Sequence, residues 1–127
     1  MKKKGRAVRI KLNPKAFEFA KQLIHEHKID DRKGTAELKH HIPTVAQEDA
    51  YLKSHTWDDF SKWYLGVHFD RPENKRERYD FPIGDFQTVV RADIIAVKEK
   101  AHEYRYPDIV EACDDLLQRI DKKISKV

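Results

Sequence analysis

WDDFSKWYLGVHFDRPENKRERYDFPIGDF, residues 57–86, holds both tryptophans and four of the six phenylalanines of the 127-residue chain. Two aromatic blocks enclose a charged loop. Thr56-Trp-Asp-Asp59 reads as a capping box that opens a helix, with Trp57, Phe60 and Tyr64 on one face and Gly66 as its left-handed stop. Asp70 to Arg78 contains no apolar residue except Pro72, so it lies outside any core. Tyr79–Phe81 and Phe86–Val89 flank the turn-like Pro82-Ile-Gly-Asp85 and predict a short β-hairpin near 79–89. An isolated hairpin is marginal in water and needs a further strand. The alternation of Val8, Ile10 and Leu12 with Arg9 and Lys11 supplies a candidate at residues 7–12.

Working outward, Asn13 followed by Pro14 is an N-cap with proline at the first helical position. The helix it opens is predicted to reach about Lys28, burying Ala16, Phe17, Ala20, Leu23 and Ile24 on one stripe. Asp30 to Gly34 reads as a connection and Thr35 to His41 as a single helical turn. Thr44-Val-Ala-Gln47 is a second capping box, opening a helix to about Lys53. On the C-terminal side, Val90, Ile94, Val97, Ala101 and Tyr104 form one apolar seam, and Ile109, Cys113, Leu116 and Ile120 form another after Pro107. So short a link predicts an antiparallel helix hairpin. The expected fold is a single mainly α domain with a small β element (α+β), four or five helices, and a flexible basic arm at 1–6.

Seven of the 26 basic residues fall in the first fifteen positions, where there is no acid. The remaining 19 face 22 acidic residues, a body near −3, so the alkaline pI belongs to the N-terminal arm. Cys113 is the only cysteine and excludes an internal disulfide. No apolar run approaches the ~20 residues of a membrane-spanning helix, and none follows the N-terminal cations as a signal peptide requires. A cytoplasmic protein is expected, with no membrane partner.

Trp63-Tyr-Leu-Gly66, Arg78-Tyr-Asp-Phe-Pro-Ile-Gly-Asp-Phe86 and the final Asp108-to-Leu117 helix together resemble a pattern of small uncharacterised bacterial proteins, some of them phage-associated. The resemblance covers about half the chain. It rests on aromatic, glycine and proline positions, so it implies an architecture and carries over no catalytic residue and no activity.

No strong chemical signature is present. The seven histidines lack helical three- or four-residue spacing, since His25 and His27 diverge and His40 and His41 do likewise, and no metal or cofactor is expected. The acidic pairs Asp30-Asp31, Asp58-Asp59 and Asp114-Asp115 are sequence neighbours that do not converge on one substrate. Cys113 reads as a buried, inert thiol. Arg71, Lys75, Arg76 and Arg78 beside Tyr79 and Phe81 have the composition of a phosphate-contacting edge with a stacking platform, interrupted by Asp70, Glu73 and Glu77.

Three functional readings follow. The first is a non-enzymatic binding or adaptor module using the aromatic–basic region 57–86, with Arg71, Lys75, Arg76, Arg78, Tyr79 and Trp63 as contacts and a protein or a second copy as partner. The alternative is nucleic-acid binding through Lys2, Lys3, Lys4, Arg6, Arg9 and Lys11 together with the 71–78 loop. The third is a small enzyme with a site assembled from scattered His and Asp.

Overall fold

Ile10, Lys11 and Leu12 alternate apolar, basic, apolar, and they form β1 (Ile10–Leu12), the first element of a computed structural model describing residues 10–32 and 43–125. The arm residues Lys2, Lys3, Lys4, Arg6 and Arg9, and the turn expected at Thr35–His41, lie outside the described residues. β1 runs antiparallel to β3 (Tyr64–His68), which in turn pairs antiparallel with β4 (Tyr79–Pro82), giving the order β1-β3-β4. A second, parallel ladder joins β2 (Ile29–Asp30) to β5 (Val89–Val90). Five α-helices complete the described fold: α1 (Pro14–His25), α2 (Val45–Ser54), α3 (Trp57–Ser61), α4 (Arg91–Glu103) and α5 (Pro107–Ser125). The protein is α+β.

The caps form as their sequences dictate. Thr44 and Thr56 each accept from the backbone three residues on, and Gln47 and Asp59 reach back to the cap N–H. The C-terminal helices pack antiparallel: Arg91 in the first turn of α4 meets Asp121 late in α5 at 2.9 Å, and Lys98 meets Asp114 at 2.6 Å. Their buried stripes, Ile94, Val97 and Ala101 against Ile109, Cys113, Leu116 and Ile120, join one core with Ala16, Ala20, Leu23 and Ile24 of α1. Each Leu or Ile buried there contributes roughly 1.5–3 kcal/mol. Tyr104 is not part of that seam: it is 53% exposed, and Tyr106 is buried instead. Arg105 adopts φ 67°, which turns the chain between them.

Two expectations for the central stretch are corrected. The helix opened by Thr56 ends at Ser61, and Gly66 lies within β3 rather than stopping a helix. Trp63, Tyr64, Leu65 and Gly66 are all buried, as a central strand covered on both faces requires. Gly66 is needed for space, since a Cβ there would sit 2.7 Å from the Phe81 ring and 3.2 Å from Ile10. The predicted hairpin is also rearranged. Tyr79–Pro82 pairs with β3, and Val89 bridges Gly84, a residue of the predicted turn, instead of the first predicted strand. The reversal falls at Asp85–Thr88, not at Pro82–Asp85, because Asp85 Oδ1 accepts from Gln87 N–H and Thr88 N–H at 3.0 and 2.6 Å. β1 does join the sheet that holds β4, through β3 rather than beside it.

α2 buries none of its residues. It is held by Tyr51 stacked on Phe86 at 4.4 Å, by the Tyr64 hydroxyl donating to Glu48 at 2.6 Å, and by Arg76 donating to Asp49.

Asn13 joins the two halves of this arrangement. Its Oδ1 accepts from Lys15 N–H at 3.2 Å and so caps α1. Its Nδ2 donates to the carbonyls of Ser61 (2.9 Å) and Tyr64 (3.0 Å), and its backbone N–H donates to Leu65 at 2.8 Å. The side chain is 5% exposed. Asn13→Asp keeps the cap but loses both side-chain donors and turns a carboxylate toward two buried carbonyls. It is expected to cost roughly 2–4 kcal/mol, at least as much as Asn13→Ala, in urea unfolding. An Asp variant as stable as wild type would show that the cap alone matters.

Candidate nucleic-acid interface

The register of the sheet determines what meets the charged loop. Lys11, Val67 and Tyr79 are successive partners across β1, β3 and β4, so they form one row on one face. Phe69 stands diagonally from Lys11, one step beyond β3, where diagonal neighbours can touch. The Lys11 ammonium lies 4.6 Å from the Phe69 ring centre, and Phe69 is 46% exposed. Ile10 faces His68, so the first described residue of β1 lies beside the start of the loop.

The loop is folded on itself. Arg71 donates to the Glu77 carbonyl at 3.0 Å, Arg78 donates to the Arg71 carbonyl at 2.6 Å, and Tyr79 donates its hydroxyl to the Glu73 carbonyl. These contacts satisfy guanidinium hydrogens without neutralising charge. Among the described residues no carboxylate lies within ion-pairing distance of Arg71, Lys75 or Arg78. Arg76 differs, with Asp49 at 2.5 Å and Glu48 at 3.4 Å. The hydrogen bond to Asp49 and the adjacent acid charges hold its guanidinium pKa above the ordinary value. Tyr79 is half-buried against Trp57, their ring centres 6.2 Å apart, and its phenol pKa is raised mainly by burial.

Of the residues singled out from sequence, Lys11 and Tyr79 share one row of the sheet, and Arg71, Lys75 and Arg78 lie in the loop that joins β3 to β4 beside it. Arg76 points to α2. Trp63 is a correction: at 3% exposure it is core, edge-on to Phe19 and Phe86, with its indole N–H donating to Tyr51. Gly84 exists for that ring, since a Cβ there would fall 2.6 Å from two of its carbons. Phe69 was missed by the sequence reading. Its signal was the unbroken apolar run from Trp63 to Val67, which marks a strand and places residue 69 on the Lys11 face.

Several of the acids and histidines singled out from the sequence are engaged in structural contacts. Asp58 pairs with Lys15, Asp59 caps Thr56, Asp114 pairs with Lys98, and Asp115 accepts from Arg119. His55 stacks on Tyr51, and His68 Nε2 meets Asp80 at 3.2 Å with Nδ1 enclosed and unpartnered. Burial, aided by Asp114, pushes the Cys113 thiol up to about 12. Among the described residues no three His, Cys, Asp or Glu side chains are arranged to hold a metal ion, and no helix is long and apolar enough to cross a membrane. Comparison of the chain with protein-family models, with curated proteins and with solved structures finds no match.

Asp93, in the first turn of α4, is the most perturbed carboxylate. It is 6% exposed, and its Oδ2 is buried without a hydrogen-bond partner. Burial first, then the charges of Asp85 and Asp30, push its pKa up to about 7. An unfolded Asp titrates near ~3.9. The folded state therefore holds this proton more tightly, so the contribution is full below about pH 4 and is lost as pH rises through 7. Asp93→Asn is expected to flatten that loss. Its stability relative to wild type should rise by on the order of 2–4 kcal/mol between pH 4 and pH 8.5 in urea titrations. Parallel pH profiles for the two proteins would refute the assignment.

Proposed function

We propose that this chain is a non-enzymatic binding module and that its partner is a single-stranded nucleic acid held at the corner formed by Lys11, Phe69, Arg71, Lys75 and Arg78. The observation that carries this reading is the sorting of charge around the loop. Arg76 is neutralised by two carboxylates, while among the described residues Arg71, Lys75 and Arg78 have no carboxylate within ion-pairing distance, and the loop that carries them follows directly on the exposed Phe69 ring, over which Lys11 lies. Uncompensated cations beside an exposed ring suit phosphates and stacked bases, and a ring of this kind reads every base alike. The register Lys11–Val67 adds support, because it brings the Lys11 ammonium over the Phe69 ring at this corner. A protein partner using the aromatic block is less well supported, since Phe60, Trp63, Tyr64 and Phe81 are all buried.

Fluorescence anisotropy with a labelled single-stranded oligonucleotide tests the reading. Affinity should fall steeply with salt, by about 0.7 in the logarithmic slope per phosphate contacted. Substituting Arg71, Lys75 and Arg78 together by Gln should reduce both affinity and slope. Phe69→Ala should cost roughly 1–3 kcal/mol of binding with the slope unchanged. No binding at low salt, or a triple variant with wild-type affinity, would rule the surface out.

A further inference from the structure

A groove of about 450 Å³ opens between the C-terminal halves of α1 and α5. Residues four apart on a helix share a face, and that spacing builds both walls. Lys21 and His25 line it from α1, and Arg119 and Lys123, with Gln118 and Lys122 one row over, line it from α5. Buried Ile24 forms the apolar floor. Four permanent cations meet a single carboxylate there, that of Asp115.

That carboxylate leaves most of the basic donors unused. Arg119 gives Asp115 only its Nε hydrogen, at 2.6 Å, so both Nη groups keep their donors. Lys21 is 3.0 Å from Glu18 on its own helix. Among the described residues Lys122 and Lys123 have no carboxylate within ion-pairing distance. The negative end of the α5 dipole favours two lysines in its last turn. The negative end of α1 accounts in the same way for His25 in its last turn, but neither dipole accounts for Lys21, a turn earlier. A fork-shaped guanidinium, ammonium groups and an amide converging from two walls match the tetrahedral oxygens of phosphoryl groups, and the volume lies within the range of small-ligand sites.

We infer that this groove is an anion site for a ligand carrying two or more phosphoryl groups. It is separate from the corner at Phe69 and does not depend on that reading: it lies at the far end of α1 from Asn13, which is where β1 enters. The ligand is either a discrete phosphorylated compound or a stretch of nucleic-acid backbone, since both present the same oxygens.

Isothermal titration calorimetry with sodium tripolyphosphate at fixed ionic strength tests the inference. Saturable one-to-one binding is expected, weakened by roughly tenfold or more in the Lys122→Gln/Lys123→Gln double variant. Arg119→Lys keeps the charge but loses the fork, and it should also weaken binding, which covers the case in which the double variant does not fold. Substituting Arg71, Lys75 and Arg78 by Gln should leave this binding unchanged. Displacement of tripolyphosphate by a single-stranded oligonucleotide in that loop variant would identify backbone phosphates as the source. Its absence would identify a discrete compound, and both results uphold the groove. No saturable binding, full affinity in both groove variants, equal competition by sulfate at matched ionic strength, or loss of binding only in the loop variant would overturn it.

Discussion

The side chain of Asn13 is the constraint on which the rest of the fold depends. With one amide it ends a strand, starts a helix and secures the turn between α3 and β3. An amide is the only neutral side chain of that size able to accept at a helix start while donating twice to buried carbonyls. Because those carbonyls are enclosed, leaving them unpaired costs more than the hydrogen bonds themselves supply. The backbone bond from Asn13 to Leu65 carries the pairing of β1 with β3 one step further, to the point where α1 begins.

Much of the architecture was legible because it is decided by neighbours in sequence. The threonine caps at 44 and 56, the Asn13–Pro14 start and the apolar seams of α4 (Ile94, Val97, Ala101) and α5 are local patterns that form where their residues predict, although Val90 belongs to β5 and Tyr104 is exposed. The misreadings have the opposite character. A glycine after Trp-Tyr-Leu is a strong local stop signal, and it was overruled by Phe81 and Ile10, which lie fifteen and fifty-six residues away. Pro82-Ile-Gly-Asp85 has turn composition, but Asp85 forms the turn that follows it and Pro82 ends the edge strand β4. The candidate surface divides along the same line. Composition marked the cations, but only the pairing of Ile10 with His68 brings Lys11 over Phe69, and only the packing of α2 removes Arg76 from the set.

Charge is organised by position more than by total. Outside the N-terminal fifteen residues acids outnumber bases, yet two regions of the surface hold cations with no ion-pairing carboxylate among the described residues. One is the loop that follows Phe69, and the other lines the groove between α1 and α5. Elsewhere the acids are paired across elements, as in Arg91–Asp121 and Lys98–Asp114, where they set the register of helices instead of opposing a ligand. Exposed pairs of this kind contribute little to stability singly. Their larger effect is to determine which cations remain free.

The packing of α2 has a consequence in local stability. A helix with no fully buried residue, held by the half-buried Tyr51 and Leu52 and a few polar contacts, is expected to open at a lower free energy than the fold as a whole. Opening would release Glu48 and Asp49 from Arg76 and add a fourth unmatched cation beside Arg71, Lys75 and Arg78. Any anion that prefers four cations to three would thus draw on the opening equilibrium of α2, so the charge of the corner and the protection of that helix against hydrogen exchange are one linked quantity.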